Sequence, residues 1–186
     1  MEVQLGKCRL IIKKGDITEE DSEAIVNTAN SSLMGGGGVD GAIHAKGGEQ
    51  IDRECLEIRR TLYPDGLPPG KAVITSGGRL KAKYVIHTVG PIWRGGKHGE
   101  ERVLRDAYSS SLDLACQRNI RSVAFPAIST GAYGYPMKQA IEVALRAVIS
   151  FLRERECPEE VRLVFYRESD LQLVEWLARD MLGLSN

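Results

Sequence analysis

Residues 24–48 read AIVNTANSSLMGGGGVDGAIHAKGG. The stretch opens on an apolar run rich in branched residues and passes through Asn27 and Asn30 into four consecutive glycines, Gly35 to Gly38. Val39, Ala42 and Ile43 then recur at helical spacing. This is a strand feeding a helix through glycine, and a flexible linker would lack the ordered apolar neighbours. Glycine supplies 20 of the 186 residues, and seven of the 20 fall within 35–48. Folded chains concentrate glycine where the backbone needs positive φ or closely approaches something.

Outward from this stretch the same alternation continues. Residues 8–13, 24–27, 72–75, 84–89, 122–128 and 161–166 read as strands, several of them apolar on both faces. Between them lie helical stripes: Leu104, Ala107, Ser111, Leu112 and Ala115; then Ile141, Ala144, Leu145, Val148 and Leu152; then Leu171, Val174, Leu177, Ala178 and Met181. Strands alternating with helices predict an α/β sandwich with a mostly parallel sheet covered on both sides. The opening strand, closely followed by another, is a candidate for antiparallel pairing at an edge. Residues 63–70 (YPDGLPPG) carry strong breaker chemistry but read as a helix-to-strand connection, so the expectation is a single domain over 1–186.

Composition narrows the function classes. The 25 basic and 25 acidic residues cancel to zero net charge, which argues against non-specific binding to nucleic acid or an acidic membrane. Cys8, Cys55, Cys116 and Cys157 are scattered without a CxxC pair, suggesting neither a zinc cluster nor a disulfide framework. The N-terminus lacks the apolar stretch of a signal sequence, and the apolar segment 140–152 is short and broken by Glu142 and Arg146. A reduced cytoplasmic setting is the expectation.

Ligands of such sheets bind beyond the carboxyl ends of the strands. That rule selects residues 15–18 (GDIT), 28–41 (TANSSLMGGGGVDG) and 129–136 (STGAYGYP). Four glycines opening a helix present free N–H groups together with the positive end of the helix dipole, a site for phosphate. Gly36, Gly38 and Gly41 satisfy GxGxxG, but several residues separate them from the strand, and the expected acidic ribose ligand is replaced by Arg59, Arg60 and Thr61. No GK[ST] follows, so this is no Walker loop. In the second glycine loop, small residues around Ser129, Gly131 and Gly134 suit either an ordinary turn or a second phosphate cradle. Two such loops on one sheet edge favour the cradle. Residues 94–99 (RGGKHG) read as a surface connection rather than a rim of the site.

The polar residues admit two readings each. Asp16 is a turn or helix cap, the reading the sequence favours, or an acceptor for a base amine. Asp40 is a carboxylate placed at a helix start by the dipole, or the group that orients and activates a water. His44, four residues on, shares its face and reads first as a structural histidine. Asn27 and Asn30 are strand terminators or sugar-hydroxyl ligands, with the two readings evenly balanced. No histidine spacing suggests a metal, and the absence of GxSxG leaves Ser129 little claim as a nucleophile.

GDIT, AIVNTANSSLMGGGGVDGAIHAKGG, HTVGPIW and FPAISTGAYGYP, in this order and spacing, resemble the successive signatures of the macro domain family, most closely its MacroD-type branch. The resemblance runs from about Leu10 to the last helix. It implies a three-layer α/β/α fold around a mixed, mostly parallel six-stranded sheet, and a site for ADP-ribose. By position it assigns Asp16 to the adenine amine with Ile17 alongside, and the amides of Gly36, Gly37, Gly38 and Val39 to the diphosphate. The amides of Ser129, Thr130, Gly131, Ala132 and Tyr133 complete that grip. Asn30 would bond the distal ribose, Asp40 would be the catalytic carboxylate beside it, Tyr133 would pack over that ribose, and Tyr166 would stack on adenine. His44 has a supporting role. The implied activity removes acyl-linked ADP-ribose from aspartate and glutamate side chains and deacetylates O-acetyl-ADP-ribose, without cofactor or metal. The implied partners are ADP-ribose, its O-acyl derivatives and ADP-ribosylated proteins. Three rivals remain: a non-catalytic reader, which has no use for Asp40; an ADP-ribose 1″-phosphate phosphatase, which uses the same site; and removal of ADP-ribose from a nucleic-acid base, which the zero net charge disfavours.

Overall fold

Apolar runs and amphipathic stripes take the places their periods predict. The computed structural model describes residues 1–184. Its strands are β1 (Glu2–Leu5), β2 (Cys8–Lys14), β3 (Ala24–Thr28), β4 (Ala72–Ser76), β5 (Tyr84–Thr88), β6 (Ser122–Phe125) and β7 (Glu160–Phe165). Its helices are α1 (Gly38–Gly47), α2 (Glu49–Thr61), α3 (Glu100–Gln117), α4 (Met137–Arg155) and α5 (Glu168–Leu182). All six expected strands form. They join one sheet of order β1-β2-β7-β6-β3-β5-β4, parallel through the middle five and antiparallel at β1–β2 and β4–β5.

Two expectations are corrected. The sheet has seven strands rather than six, because Glu2–Leu5 adds to its edge. Only Leu5 of this strand is buried, so its four residues carry no alternation to read. The opening strand 8–13 is also not the edge: β1 covers one side, and β7, from far along the chain, pairs parallel on the other.

Period two divides each strand between two cores. Leu10 and Ile12, Ala24 and Val26, Val123 and Phe125, and Val161 and Leu163 pack beneath α3, α4 and α5, whose buried stripes are those expected. Ile25, Val73, Val85 and Val164 face the other way, toward Ile43 of α1 and Ile51 and Cys55 of α2. Asn27, Thr75 and His87 occupy this second face too, two residues along from Ile25, Val73 and Val85, and each is buried. They form a polar layer beneath α1. The scattered cysteines also hold a surprise: Cys116, near the end of α3, is bonded to Cys157, which follows α4, with Cα atoms 5.9 Å apart. A separation of 41 residues gives no sequence signal for that pairing.

Candidate functional site

Four parallel strands, β2, β7, β6 and β3, lie side by side, so the loops leaving their carboxyl ends converge. They enclose a cleft of about 810 Å³. Every residue assigned to ligand by resemblance lines it: Asp16 and Ile17 after β2, Asn30, Gly36, Gly37, Gly38, Val39 and Asp40 between β3 and α1, residues 129–133 after β6, and Tyr166 after β7. His44 is not in the lining. Val39 and Ala42, which share the helical spacing of Ile43, turn their half-buried side chains to the cleft, whereas Ile43 enters the core.

The two glycine-bearing loops offer the cleft backbone rather than cationic side chains. Helix α1 begins at Gly38, and its first-turn N–H groups have no intrahelical acceptors. Among the described residues nothing accepts the N–H groups of Thr130, Gly131, Ala132 or Tyr133; that loop is instead closed by Gly134 N–H to Gly131 O and Tyr135 N–H to Ser129 O. Ser129 sits at φ 68°, a left-handed turn just before the four residues with unaccepted N–H groups. The glycine loop presses directly on its own helix, since a Cβ at Gly41 would lie 2.3 Å from the Gly36 carbonyl oxygen. Neither loop carries lysine or arginine.

Asp16 keeps the cap role favoured by its sequence. Its Oδ1 accepts from the Thr18 N–H at 2.9 Å and the Thr18 hydroxyl at 2.7 Å, and these bonds hold its carboxyl below the usual range. Oδ2 lies 3.7 Å from Lys46 Nζ. Lys46 also donates to Thr18 Oγ1 and Glu19, tying the 15–19 loop to α1. Asn30 donates from Nδ2 to the Gly35 carbonyl at 3.0 Å and accepts from Ser32, which leaves one amide hydrogen for a ligand. Tyr166 is 78% exposed, a ring available for stacking. The cleft also contains Phe165, Arg167 and Asp170, which sequence reading missed. The strand-end rule applied to 161–166 would have found them. Residues 94–99 stay outside the cleft lining, wrapped around Glu100, whose carboxylate accepts from the N–H groups of Arg94, Gly96 and His98.

Asp40 is nearly sealed from solvent at 6% exposure. Its Oδ1 accepts from Asn27 Nδ2 at 2.8 Å. Oδ2 points toward Gly36, where an added Cβ would lie 3.3 Å from it and 3.4 Å from Asn30 Nδ2. His44 Nε2 stands 3.3 Å from Asp40 Oδ1, at ion-pair distance without hydrogen-bond alignment, while its Nδ1 is 2.6 Å from Asp52 Oδ1. Asp40 chiefly raises the imidazole pKa above its ordinary 6.5; burial opposes this and Asp52 assists. A raised folded value means stabilisation that is full below pH 6.5 and is lost as pH rises through the folded value. The difference in urea-unfolding free energy between wild type and His44→Gln should therefore shrink from pH 5.5 to 8.5 (about three pH units, a span covering a shifted histidine). A difference that stays flat over that span removes the charged role of His44.

Behind Asp40, ligand atoms of His44, Cys55 and His87 lie within 4.8 Å of one another, a grouping that merits a test as a metal site. Hydrogen bonding decides it. Asn27 Nδ2 faces both Asp40 Oδ1 and, at 3.1 Å, His87 Nδ1; the opposite amide orientation would set oxygen against carboxylate. His87 Nδ1 is thus an acceptor and Nε2 carries the hydrogen, donated to Thr75 Oγ1 at 2.9 Å. Burial pushes the His87 pKa down to about 3 and the Cys55 thiol up to about 12. His87 spends its one lone pair, on Nδ1, on Asn27 and turns its hydrogen-bearing Nε2 toward Thr75 and Cys55, so the three residues in this arrangement are not a ligand set.

An α/β sandwich that brings two amide-lined loops together at its parallel strand ends has the architecture of a phosphate-binding fold. The chain matches the Macro domain family over residues 26–144 and belongs to it. A Citrobacter rodentium protein named O-acetyl-ADP-ribose deacetylase is 52% identical over 169 residues, covering 91% of this chain and 94% of its own length. An Oceanobacillus iheyensis macrodomain solved with ADP is 40% identical and superposes with a TM-score of 0.95, covering 98% of this chain and 96% of the other. A Trypanosoma brucei macrodomain in complex with ADP-ribose is 36% identical with a TM-score of 0.81, covering 90% of this chain and 68% of the other. No helix among the described residues is long and apolar enough to cross a membrane.

Proposed function

We propose that this chain is an ADP-ribose-binding hydrolase that deacetylates O-acetyl-ADP-ribose and removes ADP-ribose esterified to aspartate or glutamate side chains. One observation carries the reading: two rows of free backbone N–H groups meet across a single cleft, with a buried carboxylate at the end where α1 begins. The two rows bind the diphosphate, and a pyrophosphate requires that both face the same space. Asp16 Oδ2 accepts the adenine amine beside Ile17, and the exposed Tyr166 ring stacks on the base. Asn30 uses its remaining amide hydrogen on the distal ribose, over which Tyr133 packs. Asp40 Oδ2 orients the attacking water there and takes its proton, and an ester C–O bond breaks to release ADP-ribose, with its hydroxyl restored, and a carboxylate (acetate or the protein side chain).

The reading is supported by the relatives' names and bound nucleotides and by the neutral charge balance, which suits a small ligand held by amides. The deciding experiment offers three substrates in parallel: O-acetyl-ADP-ribose, a glutamate-ADP-ribosylated protein and ADP-ribose 1″-phosphate. Turnover of the two esters is expected. Binding of ADP-ribose without ester turnover would make the chain a reader, and turnover of the phosphate alone would make it a phosphatase. Replacing Asp16, whose side chain is exposed, by alanine should weaken ADP-ribose binding by about 1.5–3 kcal/mol, as for a lost hydrogen bond to a charged group. Asp16→Asn, which keeps an oxygen for the Thr18 cap but puts an amine beside adenine, should lose as much. Unchanged calorimetric affinity in both variants rejects the adenine assignment.

A further inference from the structure

The polar layer beneath α1 contains a chain of hydrogen bonds whose donors lead outward in both directions from the Asn27 amide. His87 Nε2–H goes to Thr75 Oγ1, whose hydroxyl donates to the Ser76 carbonyl at 3.0 Å. With its hydrogen committed there, His87 presents the Nδ1 lone pair to Asn27 Nδ2, which also donates to Asp40 Oδ1. Backbone register sets the spacing, because Asn27 and His87 are direct partners in the β3–β5 ladder. Asn27, His87 and Thr75 are buried, so these links are shielded from bulk solvent.

The arrangement has a visible cost. Asn27 Oδ1 is buried and accepts from nothing among the described residues. An unpaired buried carbonyl is expensive, and it persists only where the orientation that strands it is imposed by something else. Here two acceptors, Asp40 Oδ1 and His87 Nδ1, both require the amine side of the same amide. One is in the cleft and the other is behind it.

We infer that His87 is a positioning residue: by accepting from Asn27 it fixes the Asn27 amide, which holds Asp40 Oδ1 inward and leaves Oδ2 facing the cleft beside Gly36. The inference rests on the reading of Asp40 as the catalytic carboxylate. His87 itself touches no substrate and lies outside the cleft lining. Its effect belongs in the chemical step, since a small misplacement of a reacting group costs rate while binding contacts elsewhere are kept. The groups facing His87 from neighbouring elements are Asn27 of β3, Thr75 of β4, Cys55 of α2 and, ring to ring at 6.1 Å, His44 of α1.

The test uses the full chain, O-acetyl-ADP-ribose turnover and ADP-ribose calorimetry on wild type, Asp40→Ala, His87→Phe, His87→Gln and the Asp40→Ala/His87→Phe double variant. His87→Phe should lower kcat about ten- to a hundredfold with KM and ADP-ribose affinity nearly unchanged. His87→Gln, whose carbonyl can accept from Asn27 and whose amine can donate to Thr75, should recover most of the rate. The double variant should be no slower than Asp40→Ala, because His87 acts only through Asp40. Wild-type kcat in His87→Phe, or a loss that adds to that of Asp40→Ala, overturns the inference. If His87→Phe fails to fold, Thr75→Val keeps the shape while unhooking Nε2–H. It should then lower kcat several-fold (roughly 1 kcal/mol for one hydrogen bond), and an unchanged kcat counts against the inference. Full turnover in Asp40→Ala instead removes the catalytic reading itself and is seen separately.

Discussion

Asp40→Ala should still bind ADP-ribose while ester turnover falls by two or more orders of magnitude, the scale of lost general-base assistance. The separation follows from geometry. In the proposed reading the diphosphate is held by amides of the two loops, which line the cleft without a hydrogen bond to the Asp40 side chain. A carboxylate at the start of α1 competes with a bound phosphate for the same dipole, so its removal leaves affinity equal or slightly higher. What is lost is Oδ2 beside Gly36, the group proposed to accept the water's proton. Asp40→Asn is the sharper control, because its carbonyl can still accept from Asn27 and preserve the buried layer. Both variants should therefore be slow, and only Asp40→Ala should disturb the packing beneath. Calorimetry with ADP-ribose and product assay with O-acetyl-ADP-ribose measure the two effects. Turnover equal to wild type in Asp40→Asn would overturn the role.

Breaking the Cys116–Cys157 bond should lower stability more than any surface change. The bond closes a loop of 41 residues, for which chain-entropy estimates give about 4 kcal/mol, with about 2–4 kcal/mol usual in practice. For a chain of this length each kcal/mol moves Tm by roughly 2–4 °C. Cys157→Ser, or wild type under reductant, should thus melt roughly 5–15 °C lower. Activity at 25 °C should be retained (a temperature well below mesophile melting, about 45–65 °C). The bond precedes β6 and β7 in the chain, at the strand ends opposite the cleft. Equal melting with and without reductant would show that the bond does not form in solution. A coincident loss of ADP-ribose binding at 25 °C would show that the two ends of the sheet are not independent.

How much was legible can be followed residue by residue. The stripe Leu104, Ala107, Ser111, Leu112 and Ala115 is buried along α3 as its period requires. Asp16 caps its turn as a residue of that type at that place should. The strand-end rule located three of the four loops around the cleft, and the resemblance supplied Tyr166 from the fourth. β1 escaped because four residues with one buried side chain have no measurable period. Arg167 and Asp170 carry no local signal beyond their place just after the strand 161–166, where only the strand-end rule reaches them. Asn27 looked like a strand terminator or a sugar ligand, and proved to be the link between Asp40 and His87, 60 residues away in sequence.

The sequence by itself determined which segments are strands and helices, where glycine frees the backbone, and which loops have the chemistry for an anion. These are properties of spacing over a few residues, set by side-chain period and by allowed φ and ψ. Tertiary structure alone decided that β7 inserts between β2 and β6, which brings four loops to one cleft. It also decided that Cys116 meets Cys157, and that Asn27, His87 and Thr75 stack beneath Asp40. Those are pairings between distant parts of the chain, selected by which buried faces and hydrogen-bonding groups satisfy one another, and no local pattern encodes them.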